Sequence, residues 1–239
     1  MFKKTKKGYY LSKKLNQLPG TVHGFSTRHY GDCNPARGSQ NQRNIEQFLK
    51  DLGLKRANLV LMEQVHGNKV KVVTGADKGK IIPGVDGLVT TKKDLVLGVK
   101  AADCLQLLYY EPTAQVIGVA HAGWQGVLKK IPQKVIEVMI RLGALPEEIL
   151  VAIGPHIGSC CYEVEKNRAE KFKKKFGEGK LFLDLVAPTL RQLVHTGVPE
   201  GNIDIAKKCT SCENKEFFSF RKDTKKSYGA MLAVISLVK

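Results

Sequence analysis

Acidic side chains are scarce in this chain. Only 22 Asp and Glu stand against 39 Lys and Arg, which leaves a formal charge of +17. A field of that sign draws phosphates and nucleotides toward the surface. The runs "KKTKK", "EKFKKKFG" and "RKDTKKS" have no nucleic-acid-binding motif beside them, so they read as solvated surface and nucleic acid is not expected as a partner. Long hydrophobic runs are missing too. The opening "MFKKTKKGYYLSKKL" has no apolar signal segment and "MLAVISLV" is too short for a bilayer, so no membrane role and a cytoplasmic location are expected. In that compartment the six cysteines read as free thiols, not as a disulfide framework.

Familiar catalytic signatures are absent as well. The sequence holds no G-x-S-x-G, H-E-x-x-H, P-loop or G-x-G-x-x-G, and none of its histidines is followed by x-Glu, the zinc-deaminase spacing. Its six histidines are dispersed and form no His-x-His pair, which disfavours copper oxidase chemistry. Cys209-Thr-Ser-Cys212 is a lone CxxC. Without a second CxxC it is weak support for a structural zinc and reads as a plain loop. Cys160-Cys161 reads as packing, with the pocket wall as the other reading.

What is present is an alternation of strand and helix patterns with no repeat and no low-complexity linker. With 43% hydrophobic residues over 239 positions a large core is expected, in one α/β (α+β) domain over 1–239. "GTVHGFSTR" reads as strand and "NIEQFLKDLGL" as a helix burying Ile45, Phe48, Leu49 and Leu52. "NLVLMEQVHGNKVKVV" reads as two strands around a loop that carries His66. "CLQLLYYEPTAQVIGVAHAG" reads as a hairpin whose outer ends bring Cys104 and His121 together. Leu128, Ile131, Val135, Val138, Met139 and Leu142 mark a helical face, and Pro132 places the helix start near Ile131. "EEILVAIG", "EFFSFRKD" and "AMLAVISLV" read as strands, and "EVEKNRAEKFKKKFG" and "LVAPTLRQLVHTGV" as helices.

His66, Cys104 and His121 each sit at a strand–loop junction among small residues, in "QVHGN", "AADC" and "AHAGW". Thiolate and imidazole are zinc donors, and a catalytic zinc keeps three protein ligands and one open position. Taken singly, each residue also reads as a packed core residue. Arg28, at a strand end in "FSTRHYGD", could clamp a phosphate. Asp103 adjoins the thiol but reads as a structural acid, since neighbouring strand residues face opposite ways.

At these residues the sequence resembles the bacterial polyphenol-oxidase or laccase-domain family, also called the peptidoglycan editing factor family, whose members are regarded as purine nucleoside phosphorylases. The resemblance runs through "HGFSTR", "QVHG", "DGLVT", "ADCLQLL", "AHAGWQG", "GPHIGSCCYEV" and "CTSCENKEFFSFRKD". It implies a layered α/β/β/α sandwich with mixed sheets, related to cysteine-dependent deamidase toxins. It also implies zinc on His66, Cys104 and His121 as the catalytic and metal-ligating set; the family's oxidase label suggests copper, which the few dispersed histidines disfavour. The implied activity converts adenosine, inosine and guanosine, with phosphate, to free base and ribose 1-phosphate, with phosphorolysis of methylthioadenosine and adenosine deaminase activity beside it.

Three departures stand out. Gln125 replaces the family's usual arginine, Gln106 its usual proline, and "TRHYGD" its usual "TRxGG". None touches the implied ligands. The rival reading is a metal-free Cys-His hydrolase or amidase acting on cell-wall precursors, with Cys104 as nucleophile and His121 as base.

Overall fold

The computed structural model describes residues 1–177, 179–224 and 228–238. Its strands form two mixed sheets. The first, with seven strands, runs in the order β1 (Phe2–Lys4), β2 (Tyr10–Ser12), β3 (Thr21–Phe25), β13 (Met231–Leu237), β8 (Val96–Ala101), β4 (Leu59–Met62) and β6 (Ile81–Ile82). The second, with six strands, runs β12 (Ile203–Ile205), β11 (Leu150–Ile153), β9 (Leu105–Glu111), β10 (Val116–Ala122), β7 (Gly87–Thr90) and β5 (Val70–Val72). Neighbours are antiparallel except β4 with β6 and β8, β11 with β12, and β5 with β7.

Strand periodicity assigns the core residues. On β9, Leu108 and Tyr110 face the first sheet, while Leu105, Leu107 and Tyr109 face the helices. Phe25, Leu97, Val99, Ile117, Val119 and Ile235 complete the layer between the sheets. Both faces of the central strands are therefore covered, which is why they read as continuous apolar runs. Helices α4 (Ile131–Arg141), α5 (Lys166–Phe176) and α6 (Val186–His195) pack on the outer face of the six-stranded sheet. Helix α2 (Ser39–Asp51) covers the other sheet with Ile45, Phe48 and Leu49. The result is the expected four-layer α/β/β/α order. Gly118 lets α4 lie close, since a Cβ there would come within 2.9 Å of Val135.

The hairpin forms as expected, with His121 paired to Gln106 and Ala122 to Leu105. Helix α4 begins at Ile131 with Pro132 in its first turn. Leu128 belongs instead to a separate short helix, α3 (Trp124–Leu128), because Lys130 is left-handed at φ 64° and breaks the helix between them. Helix α1 (Lys13–Gln17) precedes β3. The two strands read around His66 join different sheets, so their loop crosses the sandwich.

A second expectation fails. "EFFSFRKD" is not a strand but a run of turns. Consecutive Phe217 and Phe218 are both buried, which a half-exposed strand cannot arrange, and Asp223 ties the segment into a loop by accepting from the Ser219 amide at 2.9 Å. Of the basic run 221–227, Lys225, Lys226 and Ser227 lie outside the described residues. Among the described residues no helix is long and apolar enough to cross a membrane.

Candidate metal centre

Strands β4, β6 and β8 lie parallel and adjacent, so all three end at the same edge of the first sheet. From each end the chain crosses to the second sheet. The first crossing carries His66, the second Asp86 and the third Cys104. His121, on the same face of β10 as Ile117 and Val119, meets them at the end of the inter-sheet core. The donor atoms of His66, Cys104 and His121 all lie within 4.8 Å of one another. The two imidazoles meet edge to face, with centroids 4.8 Å apart and planes at 82°.

Asp86 organises this cluster, and sequence reasoning gave it no role. Fully buried, its carboxylate accepts from the amides of Val65 (3.2 Å), His66 (3.0 Å) and Gly67 (2.6 Å). Three successive N–H groups on one carboxylate hold His66 at φ 56°, a left-handed conformation that a residue with a Cβ adopts only when its surroundings impose it. Asp86 Oδ1 also lies 2.9 Å from His121 Nδ1. When the ring is neutral, that contact makes Nδ1 its protonated nitrogen and leaves Nε2 for the cluster. Burial works against the Asp86 charge, but His121 and the Gly67 and Val65 amides hold its carboxyl below the usual range. Its only sequence signal was an acid set within the apolar "IIPGVDGLVT".

Burial pushes the Cys104 thiol up, yet His121 and His66 outweigh it and bring the thiol down to about 7. For His121 burial favours the neutral ring, while Cys104 and Asp86 raise it to about 9. Gly123 closes the cluster: a Cβ there would stand 2.9 Å from Cys104 Sγ and 3.0 Å from His66 Cδ2. The donor set fits a single transition-metal ion. Two imidazoles and a low-pKa thiol converge, one imidazole is aimed by a carboxylate, and the adjoining residue has no side chain.

The cluster sits in the wall of a cavity of about 560 Å³, within the range of small-molecule sites. Trp124, Tyr162, Phe220 and Tyr228 bring aromatic surfaces to it, and Lys100, Arg168 and Arg221 bring positive charge. Arg168 stacks on Trp124 at 4.5 Å and donates to the Tyr162 hydroxyl at 3.4 Å. It thus supplies a cation beside the helix where Gln125 stands. Burial holds the Lys100 ammonium below its ordinary range, against the pull of Asp32.

Arg28 is not brought to this wall. Its Nη2 donates to both Asp223 oxygens at 2.6 Å, its Nε to the Phe217 carbonyl at 3.3 Å, and its guanidinium covers the Phe218 ring at 4.2 Å. It holds the segment that leads into Phe220 and Arg221. Asp103, left-handed at φ 87°, accepts from the Thr210 hydroxyl at 2.5 Å and the Arg221 amide at 2.8 Å. Gln106 joins the sheets, donating to the carbonyls of Val99 (2.9 Å) and Met231 (3.2 Å). Cys160 and Cys161 do not line the cavity; Cys161 packs against the core, as expected, and both lie beside Cys209 and Cys212.

A family model described as multi-copper polyphenol oxidoreductase laccase matches residues 21–238. Purine nucleoside phosphorylase YlmD of Geobacillus stearothermophilus is 32% identical over an alignment of 247 positions, gaps included, covering 90% of each chain. Adenosine deaminase RL5, from an unknown prokaryotic organism, is 34% identical over 189 residues and 72% of each chain. The crystal structure of YlmD from Geobacillus stearothermophilus superposes with a TM-score of 0.90 at 30% identity, over 100% of this chain and 99% of that one.

Proposed function

The chain belongs to the multi-copper polyphenol oxidoreductase laccase family, and from that premise we propose that it is a zinc-dependent purine nucleoside phosphorylase that also deaminates adenosine. The observation that carries this reading is the convergence of His66, Cys104 and His121 in the wall of an aromatic and cationic cavity. Relatives named for both activities support it. Adenosine, inosine, guanosine and methylthioadenosine are its nucleoside substrates, with phosphate as the second substrate.

His66, Cys104 and His121 hold the ion, and they are the catalytic set. When bound, a zinc ion supplies Lewis acidity beside the substrate. Copper oxidase chemistry has too few ligands here. Of the six histidines, His23 accepts the Ser12 amide and His156 bonds the Gly154 carbonyl, His29 and His195 lie outside the donor cluster, and only His66 and His121 belong to it. In phosphorolysis the C1′–N9 bond breaks, a phosphate oxygen bonds C1′, and the base leaves with a proton. Trp124, Tyr162, Phe220 and Tyr228 supply the aromatic wall on which the purine stacks. Arg168, Arg221 and Lys100 bind phosphate and hold it in line with C1′. Arg28 acts by fixing the segment that presents Arg221. In deamination water adds at the purine C6 and ammonia leaves from the same pocket. The free thiols suit a reducing, cytoplasmic setting.

One feature favours a second reading, hydrolysis or amidase chemistry by Cys104. In the metal-free protein its thiol lies at about 7 beside an imidazole at about 9, the arrangement of an activated nucleophile. Incubating the zinc-loaded protein with inosine, with and without phosphate, separates the two. Hypoxanthine and ribose 1-phosphate formed only with phosphate support phosphorolysis. Unchanged inosine and adenosine at full zinc loading refute it.

A further inference from the structure

Four of the six cysteines gather at a place that the reaction does not use. The loop after β11 carries Cys160 and Cys161, and the loop after β12 carries Cys209 and Cys212. Parallel pairing of β11 with β12 continues into these loops through a bridge between His156 and Cys209. The His156 amide donates to the Lys208 carbonyl at 3.2 Å and the Thr210 amide to the His156 carbonyl at 2.9 Å. This register sets the vicinal pair against the CxxC pair. All four sulfurs lie within 4.8 Å of one another. Cys212 Sγ is 3.6 Å from Cys160 Sγ and 3.3 Å from Cys161 Sγ.

Those separations suit one ion better than four unrelated thiols. Tetrahedral zinc with Zn–S near ~2.3 Å places its sulfurs about 3.8 Å apart. A second feature points the same way. The Gly158 amide donates to Cys209 Sγ at 3.3 Å. A backbone N–H aimed at a sulfur suits the thiolate, which is the ligand form. Gly158 also leaves room, since a Cβ there would come within 3.2 Å of Cys160 Sγ.

We propose that Cys160, Cys161, Cys209 and Cys212 form a second metal site, a closed tetrathiolate that binds zinc and staples the loop after β11 to the loop after β12. Four sulfurs prefer a soft or borderline ion, and four protein ligands leave no open position, so the site is structural. On binding, four S–metal bonds form, and each thiol still protonated releases its proton to solvent. The complex carries two negative charges, on a chain of +17. Its place gives it a task. Thr210, between two of the ligands, donates to Asp103 at 2.5 Å, and the Ile157 amide donates to the Asp103 carbonyl at 2.9 Å. Asp103 precedes Cys104, and Ile157 and Tyr162 line the cavity. The staple therefore fixes one wall of the pocket without entering it.

Metal content measured on the full chain, purified with reductant and loaded with zinc, tests this. Cys209→Ser and Cys212→Ser each hold one zinc per chain fewer than the wild type, whatever the His66–Cys104–His121 centre holds. Cys104→Ala keeps the tetrathiolate ion, so its cobalt-substituted form shows the intense thiolate-to-cobalt absorption of a four-sulfur site. The cobalt measurement keeps the proposal testable if the serine variants do not fold. Unchanged zinc in both serine variants, a Cys104→Ala protein without that absorption, or disulfides among these four cysteines in the reduced preparation would overturn it.

Discussion

Asp86 and His121 are joined twice, through Nδ1 and Oδ1 at 2.9 Å and through the His121 amide and the Asp86 carbonyl at 2.8 Å. The same carboxylate gathers the loop of His66, so one buried acid sets the positions of two donors that lie far apart in sequence. Asp86→Asn keeps the shape but loses the charge and one acceptor. Zinc affinity at this centre, measured by competition with a chromophoric chelator, falls about 10–100-fold. Undiminished affinity would mean that the histidines are aimed by packing alone.

Gly123 has ordinary extended backbone, with φ −73° and ψ 177°, so Gly123→Ala strains no dihedral. Its methyl group instead stands 2.9 Å from Cys104 Sγ. The variant therefore loses zinc affinity at least about tenfold, while urea unfolding of the metal-free protein shifts by no more than about 1 kcal/mol. A variant that binds zinc like the wild type would show that the thiol swings aside freely.

Stripped of metal, Cys104 alkylates with a pH midpoint near 7 and not near the ordinary thiol value, because the imidazoles favour its thiolate. His121 stays protonated up to about 9, so thiolate and imidazolium coexist between those values. His121→Gln removes the principal cation and moves the midpoint upward. Iodoacetamide rates across pH, followed by peptide mass spectrometry, read this directly; an unmoved midpoint in the variant would assign the shift elsewhere.

Acid stability has a separate source. His23 is buried and accepts the Ser12 amide at Nε2, 3.0 Å away, and burial lowers its pKa to about 4, partly opposed by Ser12 and Asp204. Its folded pKa lies below the unfolded value, so its contribution is complete above about pH 6.5 and is lost as pH falls through about 4. By pH 4 the loss reaches ~3 kcal/mol. Urea unfolding at pH 7 and pH 4.5 should show a steeper decline for the wild type than for His23→Gln. Equal declines would place the sensitivity in the carboxylates.

The convergence of Cys104 with His121 is legible in the sequence because local pattern governs it: a turn at Glu111-Pro112 fixes the hairpin, and the hairpin fixes Cys104 against His121. His66 followed from its loop between two apolar runs. Asp86 stayed silent because its partners are backbone amides, which no residue type announces. The four-cysteine cluster stayed silent because its second half is a vicinal pair, and because the short β12 that aligns the loops has only Ile203-Asp204-Ile205 to signal it. Arg28 looked like an anion clamp, yet its carboxylate partner, Asp223, lies at the far end of the chain. "EFFSFRKD" has strand composition, but the bonds made by Asp223 and Asp103 bend it.

The three chain crossings that leave β4, β6 and β8 have a mechanical consequence. His66 and Cys104 arrive on them and His121 belongs wholly to the second sheet, so sliding of one layer over the other necessarily spreads the donors. An ion gripped there acts as a rivet through the sandwich. Its removal would loosen the seam between the layers before it loosened either layer, and amide exchange in residues 63–69 and 102–104 would quicken first.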